Sequence, residues 1–197
     1  MKPIFRALTS LAAIASTAGC AVGTSSVLHH GSASLAADES IVVLGVKSPG
    51  YRVMFFPVTV KDGRFTANLL DNAVVNGTPT DGYLVSKVKA GQLLGLTRVI
   101  PPKANALTPE IFRPCGDGTG LVFEAPQAGK VGYLTDVEYV RIGNRLDVRY
   151  SEDAERAQGY VQAHFSGLPG PLQGHAIQFL NAAALCDPVL LQIYVKR

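Results

Sequence analysis

The stretch KVGYLTDVEYVRIGNRLDVRY, residues 130–150, decides the fold class. Val131, Tyr133, Thr135, Val137 and Tyr139 fall on one parity, with Asp136 and Glu138 on the other. A period of two is the signature of a strand, whose side chains point alternately to opposite faces. After Tyr139 the phase slips, because Val140 and Ile142 are apolar and Arg141 is not. One extra residue restores it, so a β-bulge is expected near Tyr139-Val140. Gly143-Asn144 turns the chain. The return strand carries Leu146, Val148 and Tyr150 inward and Arg145, Asp147 and Arg149 outward.

The same pattern extends upstream. Residues 40–46 (SIVVLGV) form a short continuous apolar run, as in a strand buried on both faces. Residues 52–60 follow, with Pro57 marking an edge or bulged strand. Asp62-Gly63 then makes a tight hairpin to residues 65–70. Residues 72–81 read as loop. Strands come next at 83–89 and 92–100, joined by Ala90-Gly91, and at 119–125, ending in the turn at 126–129. Between them residues 101–118 form a loop with prolines at 101, 102, 109 and 114, the best place for a ligand-contacting loop.

Downstream, one helix is expected. Ser151 is a candidate N-cap, and Glu152, Asp153 and Glu155 favour the positive end of the helix dipole. Ala154, Ala157, Val161 and Phe165 make its apolar stripe. A short strand near 176–180 and a final one at 189–196 complete the chain. The expectation is a mainly β protein: an antiparallel β-sandwich of about eight strands, with one short helix in its C-terminal half.

The N-terminus carries a different message. Residues 1–20 read MKPIFRALTSLAAIASTAGC: Lys2 and Arg6, a short weakly apolar run, then small residues before a cysteine. The run is too short to span a bilayer, and its charge pattern is that of a secretory leader. Thr17-Ala18-Gly19-Cys20 resembles the lipobox of bacterial lipoproteins, with Thr17 where that family has an aliphatic residue. The resemblance implies removal of residues 1–19 and lipidation of Cys20. Ala21 after the cysteine implies an outer-membrane location facing the periplasm. Cleavage later, near residues 34–37, is the alternative. Residues 20–39 are rich in Ser, Ala and Gly, and read as a flexible tether to a single domain at 40–197. His29 and His30 lie in that tether and are expected to be solvated.

Of three cysteines, Cys20 is set aside by this reading. Cys115 and Cys186 then form an even pair suited to a disulfide in an oxidising compartment, or else stand as two separate buried thiols. No Cys-x-x-Cys or close Cys/His spacing points to zinc, and no metal or cofactor is expected.

Charge narrows the function. Lys plus Arg number 18 against 15 Asp plus Glu, and two of the basic residues belong to the leader. The remainder is nearly neutral, which excludes nonspecific nucleic-acid binding. Gly-x-Ser-x-Gly and His-Glu-x-x-His are both absent. His164 and His175 are possible general bases, and Asp136 with Glu138 is a possible carboxylate pair, but structural or solvated roles explain them better. Gly116-Asp117-Gly118-Thr119-Gly120 precedes a strand rather than a helix, so it reads as a tight turn and not a phosphate loop. Tyr83, Tyr133, Tyr139, Tyr150 and Tyr160 suit either a core or a sugar- or peptide-binding surface. No catalytic residue is expected.

Within residues 81–150, the turn Lys89-Ala90-Gly91-Gln92, then Leu121-Val122-Phe123, then Ala128-Gly129-Lys130-Val131-Gly132-Tyr133-Leu134-Thr135-Asp136, resembles small bacterial envelope lipoproteins of unknown function that carry a prealbumin-like or carboxypeptidase-regulatory-like sandwich. The resemblance implies a fold and a location, and no catalytic residue. The expected function is a non-enzymatic, lipid-anchored envelope module contacting another envelope protein or the cell wall. The alternative is a module binding a glycan, a peptide or a small molecule.

Overall fold

The computed structural model of the chain describes residues 26–68, 70–102, 110–143, 145–186 and 191–195. The leader, Cys20 and the first part of the expected tether lie outside the described residues, as do residues 103–109 of the Pro-rich loop. In chain order the elements are β1 (Gly31–Ser32), β2 (Glu39–Val46), β3 (Arg52–Lys61), β4 (Arg64–Ala67), β5 (Val75–Gly77), β6 (Tyr83–Lys89) and β7 (Leu93–Ile100). There follow β8 (Phe112–Arg113), β9 (Thr119–Glu124), β10 (Val131–Ile142), β11 (Arg145–Ser151) and the helix α1 (Ala154–His164). The last are β12 (Phe165–Ser166), β13 (Gln173–Gly174), β14 (Gln178–Ala182) and β15 (Leu191–Val195). The protein is mainly β, and among the described residues no helix is long and apolar enough to cross a membrane.

The sheets are mixed rather than antiparallel throughout. β2 lies between β6, antiparallel, and β10, parallel, while β10 pairs antiparallel with β11 and β11 parallel with β15. β3, β4, β14, β9 and β7 pair in a ring that closes through β3 and β7, forming a five-stranded barrel. Its interior is filled by Val58, Phe65, Val122 and Ala182. A Cβ on Gly120 would come within 2.7 Å of the Phe65 ring, so glycine there leaves room for the aromatic side chain. β6 and β7 do not pair with each other; Ala90-Gly91 turns a corner from one sheet into the other.

β2 explains its apolar run. Val42, Leu44 and Val46 face the core shared with the barrel. Ile41 and Val43 face a second core under α1, built with Tyr83, Val131, Tyr133, Ala157, Tyr160, Val161 and Phe165. Buried on two faces, the strand has no polar parity to show. Asp153, not Ser151, caps α1: its side chain accepts from the Arg156 N–H at 3.1 Å, and Ser151 is the last residue of β11. Of the expected stripe, Ala157, Val161 and Phe165 are buried, Ala154 is exposed, and Tyr160 takes its place.

Three further expectations are corrected. Tyr139-Val140 carries no bulge, since the β10–β11 register runs unbroken from Asp136↔Ser151 to Ile142↔Arg145 and Ile142 is simply half exposed. The extra residue lies earlier, between Tyr133 and Thr135, where the register with β2 shifts. Val131 and Tyr133 therefore face the helix, whereas Val137 and Tyr139 face the barrel. Of the two readings of Pro57, the edge strand is corrected, because β3 is paired on both sides, while the bulged strand holds, with the bulge at Met54/Phe55. Finally, residues 26–39 do not hang free. Lys87 N–H donates to the Ser26 carbonyl at 2.8 Å, and Leu28 N–H to the Val85 carbonyl at 2.8 Å. β1 pairs parallel with β12, and Ala33 is buried. The segment satisfies backbone groups that the edge strand β6 would otherwise leave unpaired.

Candidate functional site

A groove of about 620 Å³ opens where β2 ends and β6 begins. Lys47, Pro79, Asp81, Tyr83, Asp136 and Arg156 line it. Its most unusual member is Asp136, whose side chain is 3% exposed. The early bulge in β10 is the cause: it puts Asp136 on the same side of the strand as Tyr133, toward the helix, with Glu138 two residues further along that face.

The carboxylate is held from three directions. The Tyr133 hydroxyl donates to Oδ1 at 2.7 Å, and the same hydroxyl accepts the Asp153 N–H at 3.0 Å. Lys47 Nζ lies 3.6 Å from Oδ2 and donates to Ser151 Oγ at 2.8 Å. Gly45 completes the cradle: a Cβ there would stand 1.9 Å from Oδ1. Burial above all, and then Asp136, hold the Tyr133 hydroxyl well above the phenol range, against the lowering effect of the Asp153 N–H. It thus stays a neutral phenol and keeps its hydrogen bond to Asp136. Burial, with a smaller contribution from Asp136, raises Tyr83 as well. Arg156 makes no ion pair among the described residues.

A second constellation shares Asp81 with the groove. The parallel register Gly31↔Phe165 sets the preceding residues, His30 and His164, side by side. Their rings stack at 4.2 Å with 22° between planes. His30 Nε2 lies 3.0 Å from the Tyr160 hydroxyl and 3.8 Å from Asp81 Oδ2. That hydroxyl donates to the Thr80 carbonyl at 3.0 Å. Burial first, then Asp81 and Tyr83, push Tyr160 up to about 12, so it stays a neutral phenol. Asp81 and Gly82 occupy the turn between Thr80 and Tyr83, with φ of 50° and 85°. One ligand atom from each of His30, Asp81 and His164 lies within 4.8 Å of the others.

The remaining sequence candidates are dispersed. Cys115 and Cys186 are bonded to each other, joining the turn before β9 to the segment after β14. Glu138 pairs with Arg149 at 3.6 Å across the hairpin, while Asp136 pairs with Lys47. His175 bonds the Glu124 carbonyl and packs edge-on against Phe123. Gly118 N–H closes a tight turn on the Cys115 carbonyl at 2.8 Å. Tyr83, Tyr133, Tyr139 and Tyr160 are buried, so they do not form an exposed aromatic surface, and of them Tyr83 edges the groove. Of the Pro-rich loop, the described part includes Phe112, which is wholly buried between β7 and β15.

The sequence offers Asp136, Tyr83, Tyr133, Tyr160, His30 and His164 singly, but not their assembly, nor the parts of Lys47, Asp81 and Arg156. Asp81-Gly82 is the same turn signal as Asp62-Gly63 and is visible in the sequence. The approach of His30 to His164 rests on a parallel pairing across more than a hundred residues, which has no local signature. No known protein family, characterised protein or solved structure matches the chain.

Proposed function

We propose that the chain is a non-enzymatic binding module of the bacterial cell envelope, lipid-anchored at Cys20, that takes a small polar ligand such as a peptide or sugar in the groove over Asp136. The observation that carries this reading is the buried Asp136 carboxylate at a solvent-open groove. Withdrawing a charge from water costs several kcal/mol, and a fold keeps one where hydrogen bonds and an ion pair offset it. Here Tyr133, Lys47 and Gly45 are all arranged around that one group. A ligand N–H or O–H would meet an oriented carboxylate, and a ligand anion would meet the Arg156 guanidinium. The leader pattern, the even cysteine pair and the resemblance to small envelope lipoproteins support the location.

The groove favours this reading over a protein-contact role. A large contiguous exposed apolar patch is one mark of a protein-docking face. The exposed large hydrophobics among the described residues, Val60, Leu70, Ile142 and Leu185, lie on different parts of the chain. The test is a thermal-shift and calorimetry panel of cell-wall peptides and sugars, with Asp136→Asn and Arg156→Ala in parallel. A ligand that raises Tm for the native protein and loses at least ~10-fold in affinity with Asp136→Asn supports the reading, because hydrogen bonds to charged groups are worth about 1.5–3 kcal/mol. Binding that ignores both substitutions, or no binding across the panel, overturns it.

A further inference from the structure

We propose that His30, Asp81 and His164 form a site for one divalent transition-metal ion of the zinc class, so that the segment before β2 is clipped to the end of α1 by metal.

Two imidazoles and a carboxylate are the donor set that zinc, cobalt, nickel and copper ions prefer, and one that magnesium and calcium, which need six or more oxygens, do not use. The three residues come from separate parts of the chain, and the backbone brings each one in. His30 precedes β1, His164 ends α1, and their adjacency is set by the β1–β12 register. Asp81 stands on a positive-φ turn whose two ends bond each other, Thr80 with Tyr83.

The donor atoms lie within 4.8 Å of one another. Ligands at zinc bond lengths sit about 3.3–3.6 Å apart in a tetrahedron, so closing the site requires the stacked His30 and His164 rings to turn out of their stack toward a common point. The side chains can make that rotation, because His30 is 38% and Asp81 67% exposed. Tyr160 supplies the supporting contact beyond the ligands. Its hydroxyl is committed to the Thr80 carbonyl and lies 3.0 Å from His30 Nε2, which ties the His30 ring to the turn that carries Asp81. Binding exchanges any proton on the ligating ring nitrogen for the metal and releases it to solvent. Three protein ligands leave a fourth position for water or for an exchangeable group. This inference does not rest on the groove's having a ligand.

The test uses the full chain without a polyhistidine tag, stripped with a chelator. Cobalt is added while visible absorption is followed, then zinc is titrated by calorimetry. The expected result is one equivalent of cobalt giving tetrahedral d–d bands, displaced by zinc and not by magnesium or calcium. His30→Ala and His164→Ala should each weaken zinc at least ~10-fold, as loss of even an outer-sphere partner does at known sites. Asp81→Asn, which keeps the turn conformation, should weaken it too, and so reads the site without depending on packing under the helix. His29→Ala and His175→Ala should bind as the native chain does. Absence of saturable cobalt or zinc binding overturns the proposal, and so does zinc affinity that survives His30→Ala, His164→Ala and Asp81→Asn.

Discussion

Gly45 and Asp136 are a matched pair on adjacent parallel strands, and neither residue makes sense without the other. Gly45→Ala places a methyl inside the carboxylate's contact distance. It should destabilise the fold by about 1–3 kcal/mol in urea unfolding, the usual cost of overpacking a close contact. Adding Asp136→Ala to Gly45→Ala should return part of that loss; simple additivity of the two would show that they do not interact. Tyr133→Phe removes the donor to Asp136 and should cost about 1–3 kcal/mol by the same assay, since a buried acceptor loses a partner. The tyrosines also set a pH response. Tyr133, Tyr139 and Tyr150 are raised chiefly by burial from the usual 10, and Tyr160 to about 12. The unfolded chain releases these phenol protons near pH 10 while the folded chain keeps them. Stability from these groups is therefore full below pH 10 and falls as pH rises through the folded values. Denaturant midpoints measured across this range, with phenolate absorbance as a second readout, should show that decline.

At the scale of the element, hydrophobic period and turn chemistry carry far. The long strands stand within two or three residues of where alternation and glycine turns put them, and Asp62-Gly63 closes the hairpin with Lys61 opposite Arg64. Gly63 holds φ of 71°, so Gly63→Ala should cost about 1 kcal/mol, measured by thermal unfolding. What the sequence does not display is pairing between distant strands. β2 beside β10 and β1 beside β12 are parallel partners, and nothing local distinguishes them from the hairpin strands around them. The bulge shows the limit most plainly. Alternation through residues 131–139 looks unbroken, because Thr135 fits the apolar parity as well as a polar one. The register shift at Tyr133/Thr135 is paid out in three dimensions only, and it is what carries Asp136 to the groove. The candidate site was thus hidden behind one misplaced residue count and one long-range register.

For the whole molecule, the barrel closure and the Cys115–Cys186 bond act on the same region. The bond joins residues 71 apart in sequence. Cys115→Ser with Cys186→Ser should lower stability by up to ~4 kcal/mol in chemical denaturation, the chain-entropy ceiling for a loop of that size. An intact mass of membrane-extracted protein should correspond to residues 20–197 plus acyl chains; a mass beginning near residue 38 with no acyl groups would replace the anchor with a cleaved leader. If the anchor is right, the docked segment has a mechanical meaning. Because the chain is already laid against β6 from Ser26 onward, only five residues, 21–25, lie between the sheet and Cys20, a span of six peptide steps. Fully stretched, they reach about 20 Å. The groove and the histidine cluster would then sweep a thin layer just above the lipid headgroups, sampling molecules that diffuse along the membrane rather than across the compartment.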